Sequence, residues 1–152
     1  MNPRSKFKTI VVGRTITAPI GDVFAVLSDH PRYTAFRGIK DARLLKEGDK
    51  EPNGLGAVRR IDLGSIWFEE EITAFSPPFR MDYRILRSRP PIEHELGSIR
   101  LEETDEGTEV SWTSTFCVRI PLIGRWITGS AAKTGEKAFA RILKAIETQL
   151  QQ

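Results

Sequence analysis

The strongest constraint on the fold is a run of six strand-like segments followed by one long helical segment. Apolar and polar residues alternate over residues 39–47, 55–63, 66–75, 79–87, 93–103 and 108–119, and each segment ends near Gly, Pro or Asp. Alternation with a period of two is typical of strands that bury one face. Because the connections are short, we expect an antiparallel sheet. Its apolar face needs a cover, and only residues 122–150 form an element long enough to supply one.

Two short helices are predicted between a first strand and this run. Residues 7–17 alternate like a strand. In the segment "TAPIGDVFAVLSD", Thr17 is a candidate N-cap and Pro19 falls in the first turn, which predicts a helix. The segment "HPRYTAF" predicts a second, shorter helix, separated from the first by Pro31.

Composition places the chain among soluble globular proteins. Its 152 residues are 39% hydrophobic and 28% charged, and we expect them to form a single domain over 1–152. The net charge of +3 is small and dispersed, which argues against a nucleic-acid partner. No apolar run approaches the roughly 20 residues needed to span a bilayer, so we expect no stable membrane insertion.

Cysteine content and the first residues bear on the compartment. A single cysteine, Cys117, excludes an internal disulfide framework and suits a reducing environment. The segment "MNPRSKFKTIVV" lacks the apolar stretch and cleavage site of a signal peptide. We therefore expect a cytoplasmic protein.

Turn signals fix the register of three predicted hairpins. Gly64-Ser65 is a two-residue loop that pairs Arg59 with Glu70, and a four-residue loop at 75–78 then places Glu70 opposite Tyr83. The turn "TDEG" pairs neighbouring apolar positions in the last two strands. One face of the sheet is then apolar: Ala57, Ile61, Leu63, Ile66, Phe68, Ile72, Met81, Tyr83, Ile85, Ile99, Leu101, Val110, Trp112 and Phe116.

Arg59 and Glu70 are exceptions, because both fall on this apolar face. Opposite charges that face each other across two strands support each other. One interpretation is a satisfied buried ion pair, or a register error that places one residue outside. The other is a polar anchor inside an apolar cavity, where few polar groups orient a ligand.

The sequence offers few candidate residues for a metal site or for a catalytic nucleophile. His30 and His94 are the only histidines, and neither has a partner at ligand spacing, so we expect no metal and no cofactor. His30 is predicted to be a turn residue and His94 to lie on a solvated strand edge. Cys117 has no positioned histidine, and "TGSAAKTGEK" lacks the ending and the strand-to-helix setting of a phosphate-binding loop.

The order of four segments carries a resemblance to a known family. With "ITAPIGDVFAVLSD", "GLGAVRRIDLG", "FEEEITAFSPPFRMDYRI" and "GTEVSWTSTF" in sequence, the chain resembles the START/Bet v1-like (SRPBCC) superfamily, and within it the polyketide cyclase/dehydrase and lipid-transport group. The resemblance implies an α+β helix-grip fold: a curved seven-stranded antiparallel sheet around a long C-terminal helix, with two short helices between strands 1 and 2. It also implies a deep cavity for apolar or aromatic ligands.

Three functions are compatible with such a cavity. The first is a non-catalytic binder or carrier of a small hydrophobic or amphipathic molecule, such as a lipid, a polyketide or an aromatic compound. The second is a cyclase or dehydratase in which Glu70 is the general acid or base. The third is a protein-interaction module, which needs an exposed apolar patch that the sequence does not identify. Whether the chain is an enzyme, and whether it is a monomer or a homodimer, is left open at this point.

The candidate ligand-binding residues come from the apolar face and from the long helix. Small residues interrupt the first half of the helix in "RWITGSAAKTGEK", on the stripe expected to face the sheet. They are interpreted either as the roof of a cavity or as a site of close helix–sheet packing. The predicted ligand-binding set is Arg59, Phe68, Glu70, Met81, Tyr83, Trp112, Ser114, Ile127, Ala131 and Thr134.

Overall fold

One antiparallel sheet dominates the computed structural model, which describes residues 6–152. Residues 1–5 of the predicted domain lie outside the described residues. The strands are β1 (Lys8–Ile16), β2 (Asp41–Lys46), β3 (Val58–Asp62), β4 (Trp67–Ser76), β5 (Arg80–Arg89), β6 (Ile92–Thr104) and β7 (Gly107–Val118). They lie in the order β1-β7-β6-β5-β4-β3-β2. The helices are α1 (Ile20–Ser28), a 3₁₀ helix (His30–Ala35) and α2 (Gly124–Leu150).

This arrangement confirms the predicted fold class. The described chain has seven antiparallel strands, two short helices between β1 and β2, and a long C-terminal helix. Helix α1 begins after Pro19, not at a Thr17 cap as predicted. The backbone N–H of Thr17 donates instead to Glu147 of α2 at 3.2 Å, and Arg14 donates to the same carboxylate at 2.7 Å. The entry to α1 is therefore fixed by α2.

Two of the three predicted hairpin registers are confirmed. Arg59 pairs with Glu70 across β3 and β4, and Leu101 pairs with Val110 across β6 and β7. The prediction that Glu70 lies opposite Tyr83 was wrong, because Glu70 faces Ile85 instead.

The position of the turn explains this error. The β4–β5 hairpin closes between Ser76 and Arg80, so its loop is residues 77–79 and not the predicted 75–78. The pairs next to the turn are therefore displaced by three residues from the prediction, and the bulge between Ile72 and Ala74 reduces this offset by one before Glu70 is reached. Glu70 and Tyr83 still share a face, since the bulged strands keep both side chains buried.

Helix α2 packs closely on β1 and β7. A Cβ on Gly135 would come within 2.6 Å of the end of the Ile10 side chain, and a Cβ on Gly124 would meet the Val118 carbonyl at 2.7 Å. The buried hydroxyl of Thr128 accepts from the Val118 N–H at 2.9 Å and donates to the Gly124 carbonyl at 2.7 Å. These contacts favour the close-packing interpretation for this half of α2.

The loop between β7 and α2, together with the first turn of α2, presents apolar side chains to solvent. Leu122 is fully exposed, Trp126 is 79% exposed, and Ile123 is 52% exposed. Leu122 also adopts a φ of 70°, in the left-handed region that β-carbon-bearing residues disfavour. The described residues therefore do carry an exposed apolar patch, which the sequence did not identify.

No helix within residues 6–152 combines the length and the apolar character needed to cross a membrane.

Candidate functional site

A buried polar cluster lies on the inner face of the sheet, the face that α2 covers. The Arg59 side chain is almost completely buried. Its Nε donates to Glu70 Oε1 at 3.0 Å, and its Nη1 donates to His30 Nδ1 at 2.7 Å and to the Tyr33 hydroxyl oxygen at 3.4 Å. Tyr33 in turn donates to the Leu27 carbonyl. We call Arg59, Glu70, His30 and Tyr33 the arginine cluster.

Local sequence brings the arginine cluster together. The Gly64-Ser65 turn places Arg59 and Glu70 opposite each other. Helix α1 ends at Ser28, and Pro31 then starts the 3₁₀ helix that carries His30 and Tyr33. Proline suits the first turn of a helix because its missing N–H has no partner there. Two separate parts of the chain therefore meet around one guanidinium group.

The electrostatics of the arginine cluster follow from its burial. Burial and the adjacent Arg59 charge lower the pKa of His30 to about 2, so this imidazole is neutral at physiological pH. Its Nδ1 accepts from Arg59, and its Nε2 therefore donates to the Asn53 carbonyl at 3.2 Å. Burial raises the pKa of Glu70, an effect that the neighbouring Arg59 opposes.

A second cluster surrounds Tyr83. The indole N–H of Trp112 donates to the Tyr83 hydroxyl oxygen at 2.9 Å. His94 stacks on the Tyr83 ring, with centroids 5.5 Å apart and planes at 17°. Behind the ring lies Gly97, where a Cβ would come within 2.5 Å of the Tyr83 ring atoms. We call Tyr83, Trp112, His94 and Ser114 the tyrosine cluster.

His94 connects this cluster to the backbone. Its Nδ1 accepts the Ile85 N–H at 3.1 Å, and its Nε2 lies 3.1 Å from Ser114 Oγ. Burial and the Arg84 charge lower the pKa of His94 to about 4. Since a backbone N–H can only donate, the neutral imidazole carries its proton on Nε2. His94 therefore donates to Ser114 and cannot serve as its general base.

The two clusters are adjacent. The Arg59 guanidinium lies 5.2 Å from the centroid of the Tyr83 ring and 5.3 Å from that of Tyr33. These distances are typical of cation–π contacts. Burial raises the pKa of Tyr83, and the negative charge of Glu70 adds to this effect. The Tyr83 hydroxyl therefore keeps its proton at neutral pH.

The predicted ligand-binding residues divide into three groups. Arg59, Glu70, Tyr83, Trp112 and Ser114 lie together in the two clusters. Met81 is buried and Phe68 is half-buried on the same face of the sheet. The roof residues of α2 lie elsewhere.

Three α2 residues were predicted to cover the site. Ile127 and Ala131 pack in a separate apolar cluster formed by Ile10, Phe116 and Val118. Thr134 is exposed, so the prediction that it faces the sheet was wrong. The prediction used a helical wheel of 100° per residue. Such a wheel gives the direction in which a side chain points, but it does not show which strand residues lie opposite that side chain. The residue that does reach the site is Phe139, which stacks on Trp112 with centroids 4.0 Å apart.

Sequence reasoning missed four residues of the site: His30, Tyr33, His94 and Phe139. His30 does lie at the junction between α1 and the 3₁₀ helix, but its side chain is buried. The prediction of a solvated edge for His94 was wrong, because that side chain is also buried. The alternation gave no signal for His94, because the bulge between His94 and Leu96 moves its side chain to the other face of the strand. The interior position of His30 and Tyr33 depends on tertiary contacts with Arg59.

Apolar side chains border the two clusters. Four apolar side chains around the clusters are only half-buried: Ile61, Phe68 and Ile85 on the inner face and Ile142 on α2. Two surface clefts are lined by residues outside the clusters, one along β5–β7 around Phe79 and Arg100, the other beside α1 and the 3₁₀ helix around Val26 and Phe36. Among residues 6–152, no group of three or more His, Cys, Asp or Glu side chains is placed to hold a metal ion.

Comparisons with known proteins identify the family and the fold. A model of the family described as polyketide cyclase/dehydrase and lipid transport matches residues 8–151. No curated protein shows a significant match. The Zhui aromatase/cyclase from Streptomyces sp. R1128 is 20% identical with a TM-score of 0.74, covering 95% of this chain and 94% of that chain.

Two further solved structures are similar. A START superfamily protein from Mycobacterium smegmatis is 14% identical with a TM-score of 0.70, covering 95% of this chain and 97% of that chain. Major latex-like protein 151 from Panax ginseng is 15% identical with a TM-score of 0.67, covering 95% of this chain and 98% of that chain. At such identities the likeness concerns the fold.

Proposed function

The chain belongs to the polyketide cyclase/dehydrase and lipid-transport family, and we propose that it binds and carries a small hydrophobic or amphipathic molecule between the sheet and α2. The family assignment agrees with the resemblance predicted from the sequence. Members of a family share a fold, whereas the identity of the ligand depends on the side chains that line the binding site. The proposal therefore rests on the inner face of the sheet.

The observation that carries the proposal is the mixture of surfaces on this face. Ile61, Phe68 and Ile85 are half-buried although they point to the same side as the buried Arg59 and Glu70. An apolar ligand that covers this partly exposed surface gains a binding free energy of about 25 cal/mol per Å² of apolar area buried. The buried polar clusters beside it supply the few directional groups that a binding site needs.

Carriage is favoured over catalysis because the charged groups are already paired. Arg59 uses Nε and Nη1 for Glu70, His30 and Tyr33. Binding of a ligand carboxylate or phosphate by Arg59 would require breaking this pairing. Removing one partner of a buried ion pair typically costs about 3–5 kcal/mol.

The proposal is tested with the fluorescent amphipathic probe 8-anilinonaphthalene-1-sulfonate. Ile85→Trp fills space on the inner face, and we expect it to weaken binding of the probe at least about tenfold. The matched control is Leu86→Trp at the neighbouring, exposed position, which should leave the affinity unchanged. Equal affinities for the two variants would contradict the proposed location, and no binding by the unmodified protein would contradict the function.

A cyclase or dehydratase activity is the second candidate. The observation that supports it is Glu70, which lies on the inner face beside the tyrosine cluster. Burial raises the pKa of this carboxyl group. A carboxyl group with a raised pKa can act as a general acid near neutral pH. Turnover of an aromatic polyketide substrate that is lost in Glu70→Gln, with binding retained, would favour the enzyme over the carrier.

A further inference from the structure

We propose that one end of the sheet docks on the surface of an anionic lipid bilayer through the exposed side chains of Leu122, Ile123 and Trp126. We call these three residues the apolar tip. Side chains of this length reach only into the headgroup region of a bilayer, so the binding is peripheral and reversible. Such a partner goes beyond the proposed carrier function, and the docking does not depend on that function.

The apolar tip is a contiguous apolar surface that the fold leaves open. All three side chains are exposed, Leu122 completely. Ile123 and Trp126 lie three residues apart at the start of α2, where the Trp126 N–H donates to the Ile123 carbonyl at 3.1 Å. Side chains at this spacing are neighbours on one face of a helix. Clustered apolar side chains on a surface mark a binding site for a protein or a membrane.

Leu122 is not explained by the fold of the chain itself. Its backbone has a φ of 70°, a conformation to which glycine or asparagine is better suited. Because its side chain is completely exposed, burial within the protein offsets none of this strain. A leucine at this position gains free energy only when a partner covers its side chain.

The end of the sheet that carries the apolar tip is basic. Strand β7 ends here at Val118, beside the start of β6, and β1 begins here, since Lys8 pairs with Phe116. Strand β5 also ends here, where Arg89 pairs with Trp67. The exposed basic side chains at this end are Lys8, Lys40, Arg89, Arg119 and Arg125.

Acidic side chains at the same end are already bonded to neighbouring groups. The pairs are Glu93 with Arg119 at 2.5 Å, Asp41 with Arg43 at 3.3 Å, and Asp62 with the Gly64 N–H at 2.7 Å. Lys40 extends over the β3–β4 turn, where its Nζ lies 3.3 Å from the position that a Cβ on Gly64 would take. Among the described residues, basic side chains therefore outnumber acidic ones around the apolar tip.

The opposite end of the sheet is acidic. It holds the β2–β3 connection, which follows Lys46, and the β6–β7 turn, which lies between Thr104 and Gly107. The exposed acidic side chains in these two connections are Glu47, Asp49, Glu51, Asp105 and Glu106, with Lys50 among them. Charge is thus separated along the strands, and a negative surface attracts the end that carries the apolar tip.

This combination fits a lipid surface better than a second copy of the chain. Tryptophan prefers the boundary between headgroups and hydrocarbon, and nearby Lys and Arg side chains are attracted to anionic headgroups. A second copy that docked through the same surface would bring two basic ends together, because a twofold interface pairs a patch with itself. Like charges that face each other across an interface oppose association.

The test measures co-sedimentation of the full chain with lipid vesicles. One set is pure phosphatidylcholine, and the other contains about one-third phosphatidylglycerol, which is anionic. We expect the partition coefficient to be at least about tenfold higher for the anionic vesicles. Binding should fall in about 1 M NaCl, where the Debye length shortens to about 3 Å. The fluorescence of Trp126 should shift to shorter wavelength on binding.

Two substitutions of exposed aromatic residues locate the contact. Trp126→Ser should weaken binding to the anionic vesicles at least about fivefold and abolish the fluorescence shift. The matched control is Phe79→Ser, which removes an aromatic side chain that is 57% exposed at the opposite end of the sheet. This control should bind the vesicles like the wild type.

Two double variants of equal net charge test the role of the basic end. Lys8→Gln/Lys40→Gln removes two positive charges near the apolar tip and should weaken binding to the anionic vesicles about tenfold. Lys46→Gln/Lys50→Gln removes two positive charges at the acidic end, and its affinity should stay unchanged. A difference between these variants assigns the attraction to the position of the charges and not to their total.

Several results would overturn the docking: no binding to either kind of vesicle, equal binding to both, or equal losses in Trp126→Ser and Phe79→Ser. Self-association of the chain that Trp126→Ser abolishes, in the absence of vesicle binding, would make the apolar tip an interface between copies. Analytical ultracentrifugation detects this outcome. The fluorescent-probe comparison at Ile85 and Leu86 does not involve the apolar tip, so the proposed function stands or fails separately.

Discussion

Gly97 on β6 lies directly behind the ring of Tyr83, where a Cβ would approach the ring atoms to 2.5 Å. Since Tyr83 is buried and bonded to Trp112, the ring has little room to move away. We expect Gly97→Ala to destabilise the protein by about 1–3 kcal/mol, the usual cost of overpacking. Urea denaturation measures the change. The control is Gly21→Ala, because a Cβ there has no neighbour within 4 Å.

Alanine substitutions at the two interior glycines of α2 should differ in their effect on stability. A Cβ at Gly129 meets nothing within 4 Å, whereas one at Gly135 meets the end of Ile10 at 2.6 Å. Gly129→Ala should therefore stabilise the protein by about 1 kcal/mol through helix propensity, and Gly135→Ala should gain less. Ile10→Val removes the obstructing methyl group. If the double variant Gly135→Ala/Ile10→Val shows no favourable coupling in thermal unfolding, the close approach of α2 to β1 is disproved.

Breaking the arginine cluster on one side should cost more than removing both charges. Glu70→Leu leaves the buried Arg59 charge without its carboxylate, and we expect a loss of about 3–5 kcal/mol in the free energy of unfolding. The double variant Arg59→Met/Glu70→Leu should recover part of this loss. Chemical denaturation of the wild type and the three variants forms a double-mutant cycle. Strictly additive losses would show that the pair carries no coupling.

Stability should fall as the pH drops from 7 to 5. Burial lowers the pKa of His94 to about 4 and that of His30 to about 2, whereas in the unfolded chain both have the ordinary value of 6.5. The unfolded state thus binds protons first, so this stability is complete above pH 6.5 and declines below it. Each histidine contributes a slope of up to about 1.4 kcal/mol per pH unit.

His94→Gln isolates one contribution to this pH dependence. It should roughly halve the slope between pH 6 and pH 5, a window in which most carboxyl groups remain ionised. Denaturant titrations at several pH values measure the slope. An unchanged slope would mean that the imidazole is not buried in its neutral form.

Leu122 is expected to be a site of backbone strain that packing does not offset. Its side chain is fully exposed and its φ is 70°. A left-handed conformation costs a non-glycine residue roughly 1 kcal/mol, so Leu122→Gly should stabilise the protein by a similar amount. Leu122→Ala keeps the Cβ and serves as the control, with little change expected in the melting temperature.

The strand and helix pattern could be predicted from the sequence because each element carries its own period. The Arg59–Glu70 pairing was predictable too, since the two-residue turn at Gly64-Ser65 leaves no freedom in register. The pairing of Glu70 with Ile85 was not, because the turn residues suggested a loop at 75–78 whereas the hairpin closes around residues 77–79, and the bulge between Ile72 and Ala74 has no signature in the alternation.

The site was predictable only where it lies on strands. Tyr83 and Trp112 follow from the period of two, but their partners His30, Tyr33 and Phe139 come from other elements and meet them through tertiary contacts. The helical wheel of α2 predicted the face that packs on the sheet, but it did not predict which residues of that face reach the site. Helix direction follows from sequence, whereas the depth at which a helix sits above each strand depends on side chains such as Ile10.

The position of β1 at one edge, beside β7, has a consequence for how the chain folds. Lys8 pairs with Phe116 and Ile16 with Thr108. Roughly a hundred residues are therefore synthesised between β1 and the strand with which it pairs. Contacts of such long sequence separation slow folding, because the entropy of loop closure is lost before the contacts between the strands can form and stabilise the structure. On the ribosome, β1 and the α1 surface would stay unpaired until β7 emerges, which makes the last third of synthesis the decisive period for folding.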